Sequence, residues 1–426
     1  MDTTLIFLAV LFASMAIGIP IAVSLLVSGV ALMWHLDFFN TQLLAQNLQA
    51  GFDSFPLLAV PFFILAGELM NVGGLSQRII DMARAFVGHI PGGLGYVAVF
   101  ASVLLASMSG SAIADTAALA TILLPMMRQQ HYPMDYSTGL LASGGIIGPI
   151  IPPSLPFIIY GVTTNTSISK LFISGVVPGI LMGGALLLAW RVVARRRQLP
   201  TAPRTSPAER RRAVADSIWA IFMPVIILGG IRFGVFTPTE AAVVAAVYAF
   251  VVSRFIYRAL SWKAAYDVLV ASSITTAVVM FLCGAATVAA YMITLADLPN
   301  QLAQLFQPIL AHPTLFMACM VIFLLLVGTS MDLTPIILIF APVCLPLALK
   351  AHIDPVYFGF MFVFTGCLGL ITPPVGTVLN VAAGVGGVRM ESVIRGVAPF
   401  LLVYAALLVL LVAFPQIVTA PVHWLG

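Results

Sequence analysis

Charge is what this chain has least of. Asp, Glu, Lys and Arg make up 8% of its 426 residues, against about 25% in an ordinary soluble domain. A soluble fold of this length needs far more polar surface to cover its core. A cytosolic enzyme, a nucleic-acid binder and a disordered protein are therefore excluded. Cysteine is scarce too: Cys283, Cys319, Cys344 and Cys367 all lie inside apolar runs with no CxxC spacing. That fits small core residues and not a disulfide or metal framework. The six histidines form no HxxxH or HExxH pair, so no metal other than a coupling ion is expected. No GxxxxGK[ST] loop is present to hold a nucleotide, and no other cofactor is expected. No basic n-region precedes the first apolar run, which is too long for a signal h-region, so no cleavable leader is expected.

What the chain does have is apolar length. Hydrophobic residues make up 61% of it, and the mean hydropathy is +1.10. The runs are too long for membrane β-strands. Each segment must satisfy its own backbone hydrogen bonds in lipid, so the expected fold is an all-α, multi-pass membrane bundle. The run Leu5–Trp34 reads as one long or kinked span with Pro20 inside it. Residues 39–55 and 74–89 alternate apolar and polar on a helical period and read as interface-lying helices. Later apolar segments include 94–127, 136–151, 155–161, 171–193, 218–231, 241–255, 268–293, 313–349, 357–371 and 398–414.

Eight of the nineteen basic residues fall in 191–212, with one acid, Glu209, and with Pro200, Pro203 and Pro207. This stretch reads as a cytoplasmic loop by the positive-inside rule. It divides the chain into a first unit, 1–190, and a second, 213–426, and the two match. Gly145-Ile146-Ile147-Gly148-Pro149-Ile150-Ile151-Pro152-Pro153 returns as Gly366-Cys367-Leu368-Gly369-Leu370-Ile371-Thr372-Pro373-Pro374. The Pro-Pro pairs (152 and 373) and the following Gly-Val-x-Pro motifs (175 and 396) share an offset of 221 residues. Upstream, Ser109–Thr116 loosely echoes Gly328–Thr334. The acids Asp115 and Asp332 are offset by 217, and each stands ten residues before a proline, Pro125 or Pro342. Interrupted apolar segments at matching places in two halves mark the binding site of a secondary transporter.

Proline lacks an N–H, so Pro152 and Pro153 free the carbonyls of Gly148 and Pro149. Pro373 and Pro374 likewise free those of Gly369 and Leu370. Such oxygens at membrane depth are costly unless they line a polar site, and sodium wants oxygen ligands. Residues 94–127 would make a helix of about 50 Å at 1.5 Å per residue, against a span of about 30 Å. The simplest solution is a re-entrant hairpin with Ser107–Thr116 at its tip, and 313–349 splits the same way at Gly328–Thr334. Each broken helix follows its hairpin, at about 136–161 and 357–387. Asp115 and Asp332 would start the second arms. Capping, cation attraction and a proton relay all stay open for them. Glu240, in Thr237-Pro238-Thr239-Glu240, reads as a helix start, and Glu68 as an intersegment contact. Arg128, Lys170, Arg389 and Arg395 sit near segment ends and read as snorkelling. Ser154, Asn165, Thr377 and Asn380, after the Pro-Pro breaks, either bind a substrate or link helices.

These motifs resemble the large membrane subunit of the tripartite ATP-independent periplasmic (TRAP) transporters. The most specific pieces are Pro61–Glu68, Ser109-Gly110-Ser111 with Asp115-Thr116, Gly148–Ser154, Phe236–Ala241 and Gly369–Gly376, and the likeness runs over essentially the whole chain. It is nearest to the sugar-acid (diketogulonate) type. The resemblance implies an inner-membrane importer of an organic acid, coupled to sodium and fed by a periplasmic binding protein. A separate small four-helix subunit is implied as well, since no such segment is evident in the chain. The implied fold is of the ion-transporter superfamily kind: two inverted repeats whose hairpins and broken helices move as an elevator. Carried to this sequence, one sodium site would use Ser109, Ser111, Gly145 and Gly148. The other would use Gly328, Thr329, Ser330, Gly366, Gly369 and Thr372. A proton-coupled carrier of the same build is the alternative. An intramembrane hydrolase with Ser109 or Ser111 as nucleophile lacks a base at that depth, and a channel lacks a continuous polar pore.

Overall fold

The structure, a computed structural model, describes residues 2–425, without the side chains of residues 2, 4, 107–109, 305 and 425. Its first half contains α1 (Asp2–Ala16), α2 (Ile21–His35), α3 (Thr41–Phe52), α4 (Ala59–Val72), α5 (Leu75–Val87), α6 (Gly93–Ser109), α7 (Ala112–Gln129), α8 (Met134–Gly145), α9 (Leu155–Thr164) and α10 (Ile168–Arg196). The second half contains α11 (Pro207–Arg232), α12 (Pro238–Val251), α13 (Trp262–Leu295), α14 (Leu298–Leu305), α15 (Gln307–Leu310), α16 (Pro313–Gly328), α17 (Leu333–Lys350), α18 (Pro355–Gly369), α19 (Thr377–Gly386), α20 (Met390–Ala413) and α21 (Gln416–Leu425). Among the described residues there is no strand. Among the described residues seven helical stretches are long and apolar enough to cross a membrane.

Two sequence expectations change. The run Leu5–Trp34 is not one kinked span. The chain leaves α1 through Gly18 at φ 89°, and α1 and α2 pack against each other. Pro20 caps the start of α2, where its missing N–H costs nothing. At 15 residues each, these helices are about 22 Å long. The basic stretch is not all loop. Ser206 and Glu209 form a reciprocal capping box around Pro207, so Arg210, Arg211 and Arg212 lie in the first turns of α11. Thr237 and Glu240 repeat that device at the start of α12, as the sequence predicts. The two amphipathic segments are α3 and α5. The apolar face of α5 packs on α6 and α11, and its Arg78 lies 3.7 Å over the Tyr257 ring.

The two halves hold one register. α7 and α17 begin and end 221 residues apart, α8 and α18 begin 221 apart, and the left-handed His131 and His352 lie at the same offset. Both Pro-Pro bonds are cis. The α6–α7 and α16–α17 pairs are helical hairpins with tips at Gly110–Ser111 and Thr329–Asp332.

The hairpins enter from opposite ends. A Cβ on Gly396, near the start of α20, would stand 2.0 Å from the Asp135 carbonyl oxygen at the start of α8, beside the base of the first hairpin. At the far end, the Tyr357 hydroxyl of α18, beside the base of the second hairpin, donates to the Leu411 carbonyl at 3.0 Å. The helix from Gly396 to Leu411 measures about 22 Å. Repeats of opposite orientation are what this arrangement requires. The Trp190 indole N–H donates to the Gly92 carbonyl at 2.8 Å, which holds the base of the first hairpin at the end carrying the basic stretch.

Hydrophobic transfer drives little association between helices in lipid, so close packing has to do it. Glycines bring α8 and α20 together: a Cβ on Gly139 would lie 2.6 Å from the Gly396 backbone. Between α9 and α18, Phe157 meets Phe360 and Tyr160 meets Phe362, with ring centroids 6.3 and 5.7 Å apart. The second arms are exchanged: α7 packs on α19, and α17 on α9. Helices α2, α3, α4 and α12 gather with the 34-residue α13 in a separate layer.

Candidate functional site

In the first half the hairpin closes on α8 through side chains. A Cβ on Gly145 would lie 1.8 Å from Thr116 Oγ1, and one on Gly148 would lie 2.0 Å from Asp115 Oδ2. Both hairpin residues are buried, and the Thr116 hydroxyl has no hydrogen-bond partner. Ser111 caps α7, accepting from the Ala114 N–H at 3.3 Å. The side chain of Ser109 lies outside the described residues, while its backbone ends α6.

In the second half the closest approach is backbone on backbone, with one side chain beside it. A Cβ on Gly369 would lie 2.5 Å from Gly328 Cα, and one on Gly366 would lie 2.6 Å from Leu333 Cδ1. The Thr329 carbonyl accepts from the Gly376 N–H at 3.0 Å. Thr329 and Ser330 hydroxyls are 3.3 Å apart, and the Thr372 hydroxyl donates to the Leu368 carbonyl at 2.7 Å. The structure thus brings together Ser111, Gly145 and Gly148 at one place, and Gly328, Thr329, Ser330, Gly366, Gly369 and Thr372 at the other.

Three of the four freed carbonyls, those of Pro149, Gly369 and Leu370, need correction. Pro149 O accepts from the Ser154 hydroxyl at 2.5 Å. Gly369 O accepts from Thr372 N at 2.9 Å, and Leu370 O from Val378 N at 3.2 Å. Ser154 and Val378, past each Pro-Pro pair, fold back to supply two of these donors, and Thr372, just before the second pair, supplies the third. Each carbonyl keeps a second lone pair for a cation.

The paired acids also need correction. In the 221 register Asp332 is the partner of Ser111, since both stand at the N-cap of a second arm. Asp115 is the partner of Ile336, and Pro125 of Pro346. Asp115 therefore lies inside the first turn of α7 and does not start the arm. Asp332 does start its arm but makes no side-chain capping bond.

Between the two tips and the α4–α13 layer lies a cavity of about 220 Å³. Glu68 and Asn71 line it from α4, and Thr275 from α13; Asp332 and Thr334 line it from the second tip. Three helix N-termini border it: α7 at Ser111–Ala114, α9 at Leu155–Pro156 and α17 at Asp332–Thr334. No basic side chain is among the lining residues. Helix C-termini reach the cavity as well, α4 through Glu68 and Asn71, α6 through its C-cap Gly110 and α18 through its C-cap Leu370. The C-terminal ends pair, α6 with α8 in the first half and α16 with α18 in the second. N-termini favour an anion and C-termini a cation.

The four substrate candidates do not converge on this cavity. Ser154 is fully buried, committed to Pro149 O and to capping α9. Asn165 lines a neighbouring cavity of about 280 Å³ with Ser54 and Thr287. Thr377 buries a hydroxyl without a hydrogen-bond partner, and Asn380 is exposed. Neither lines the two cavities. Lys170, Arg389 and Arg395 are exposed, while Arg128 donates to the Gly386 carbonyl at the end of α19. Asn71, Thr116, Thr275 and Thr334 were missed as site residues. Thr116 and Thr334 stand inside the echoed tip motifs, whereas the only signal of Asn71 and Thr275 is polarity inside an apolar run.

The chain matches the family described as "Tripartite ATP-independent periplasmic transporter, DctM component" over residues 8–417. It is 51% identical over 422 residues to the 2,3-diketo-L-gulonate TRAP transporter large permease protein YiaN of Escherichia coli (strain K12), covering 99% of each chain. It is 40% identical over 374 residues to the C4-dicarboxylate TRAP transporter large permease protein DctM of Pseudomonas aeruginosa, covering 88% of each. In fold it is similar to the Alcanivorax borkumensis YdaH transporter, with a TM-score of 0.63 and 16% identity over 88% of this chain and 87% of that one.

Proposed function

Because the chain belongs to the DctM component family of the TRAP transporters, and its helix N-termini converge on one cavity between opposed hairpin tips, we propose that it imports an organic acid in symport with sodium. It is a large permease and not an enzyme, and a multi-pass protein of the bacterial inner membrane. The substrate class, a sugar acid or dicarboxylate, is supported by the names of its relatives. A periplasmic binding protein delivers the substrate, and a small four-helix subunit completes the membrane part.

The convergence of three helix N-termini on one cavity supports this reading. A carboxylate in the cavity meets no basic side chain. Each of the three N-termini contributes about 0.3–1 kcal/mol at an exposed site and up to about 2 when partly buried. Glu68 and Asp332 oppose the anion, so bound cations must offset them. The paired C-termini are where sodium would sit. The first site comprises Ser109, Ser111, Gly145 and Gly148, with Asp115 and Thr116 behind them. The second comprises Gly328, Thr329, Ser330, Gly366, Gly369 and Thr372. Ion and substrate sites then share the hairpin tips, so that filling one shapes the other. The hairpins and broken helices move together past the α4–α13 layer, turning the cavity from one side of the membrane to the other.

Uptake by proteoliposomes holding this chain and its small subunit tests the proposal. The binding protein and radiolabelled 2,3-diketo-L-gulonate are placed outside, with and without an inward sodium gradient. Uptake that requires both sodium and the binding protein is expected. Uptake driven by a proton gradient and indifferent to sodium would overturn the coupling ion, and would move attention to Asp332 and Glu68.

A further inference from the structure

A hollow larger than the cavity between the tips lies elsewhere. It is a groove of about 1180 Å³ between α6, α10 and α20, on the other face of the hairpin layer. Its walls are apolar, with Phe100 on α6, Leu188 on α10, and Leu407 and Leu410 on α20. One end is different. Arg191 and Arg195 stand one turn apart at the end of α10, on the same face. The Tyr96 side chain lies close enough to feel both charges. Neither arginine has a carboxylate partner; among the described residues the one ion pair is Arg212 with Asp216. From Arg195 to Leu181 the α10 wall measures about 21 Å, more than the roughly 15 Å hydrocarbon depth of one leaflet.

We propose that this groove holds an anionic phospholipid of the cytoplasmic leaflet. Its phosphate sits between Arg191 and Arg195 within reach of the Tyr96 hydroxyl, and one acyl chain lies along Gly184 and Ala185. Charge complementarity argues for this occupant. Two unpaired guanidiniums a turn apart match one phosphate through charge-assisted hydrogen bonds, and the wall below them offers an acyl chain only apolar atoms. The orientation follows from the basic stretch, which continues from these arginines and marks the cytoplasmic side. The inference rests on that placement alone and not on the substrate or the coupling ion. Such a lipid would touch the first arm of one hairpin and the long helices that close each repeat, tying both halves to the same leaflet.

Gly184 offers a clean test. A Cβ there meets nothing within 4 Å, so the Gly184→Leu side chain starts in open space and extends into the groove. Arg191→Gln with Arg195→Gln removes the charge and keeps the side-chain bulk. The full chain, co-purified with its small subunit, is incubated with equal amounts of dioleoylphosphatidylglycerol and dioleoylphosphatidylcholine. Retained lipid is counted by native mass spectrometry, and Tm is measured in phosphatidylcholine alone. The parent protein should retain the anionic lipid at least about fivefold over the zwitterionic one. The double Gln variant should lose that preference while still taking up phosphatidylcholine. Gly184→Leu should lose retention of both lipids, with Tm unchanged for each variant. Equal retention of the two lipids by the parent, or anionic retention unchanged in both variants, would overturn the proposal. Loss of the small subunit from Gly184→Leu would overturn it in another way, by showing that the groove docks protein.

Discussion

The first hairpin closes on its broken helix through the Asp115 and Thr116 side chains, while the second makes its closest approach backbone to backbone, with the Leu333 side chain beside it. Both closures sit in one register 221 residues apart, between helices with the same start points. In the first half, Asp115 and Thr116 fill the space over Gly148 and Gly145. In the second half, the register puts Ile336 and Ile337 at those places. Gly328 and Gly369 approach instead, and the acid moves to the tip as Asp332. The difference shows that an inverted repeat can preserve helix breaks, where geometry is demanding, while exchanging the polar groups around them. The two proposed ion sites, built this way, need not bind alike.

The sharpest way to break the comparison is to add one methyl to each closure. In Gly369→Ala the new Cβ would meet Gly328 Cα at 2.5 Å, and neither backbone can rotate away. Overpacking of this kind costs about 1–3 kcal/mol or more. Sodium-driven uptake should fall at least tenfold and Tm should drop. In Gly148→Ala the obstacle is Asp115 Oδ2, a carboxylate that can turn aside, so the loss should be several times smaller. Equal losses in the two variants would show that the closures are alike after all.

The tip acid comes next in size. Asp332→Ser installs the residue that the first repeat carries at Ser111. Serine caps a helix as well as aspartate does, so α17 should start where it does now and Tm should hold. The sodium concentration for half-maximal uptake should rise about tenfold, since a carboxylate facing the cavity is lost. Unchanged sodium dependence with unchanged Tm would leave Asp332 without a part in coupling.

Much of this was legible in the residues, and the failures have physical causes. The Pro-Pro pairs and flanking glycines declared the breaks, because few other residues tolerate that backbone. Overlong apolar runs with polar middles declared the hairpins. Asp115 and Asp332 were paired wrongly because each precedes a proline by ten residues. The second arm of hairpin 2 has two prolines, Pro342 and Pro346, and only Pro346 lies at the register of Pro125. Helix N-caps, not prolines, keep the count. Convergence of three N-termini on one cavity could not be read at all, since it depends on the exchange of α7 and α17 between halves.

Ser154 sharpens the comparison at a smaller scale. Its hydroxyl satisfies Pro149 O and caps α9, whereas the second repeat has Val375 at that register. Ser154→Ala should cost about 1–2 kcal/mol, the usual range for losing a cap and leaving a buried carbonyl unsatisfied. Uptake per folded molecule should stay within about twofold. A large uptake defect with unchanged Tm would return Ser154 to the substrate candidates.

The smallest expected effect is the most informative about the second half. Thr377 opens α19 with a buried hydroxyl that has no hydrogen-bond partner. A buried donor left unmade costs about 1–3 kcal/mol. Thr377→Val keeps the shape and removes that group. If the hydroxyl is idle, Tm should hold or rise slightly, and the concentrations of sodium and substrate for half-maximal uptake should each stay within about twofold. A rise in one of them alone, at constant Tm, would mean that the hydroxyl waits for that ligand. The second repeat would then contribute a binding side chain that the first repeat, with its Ser154 spent on backbone, has no room to offer.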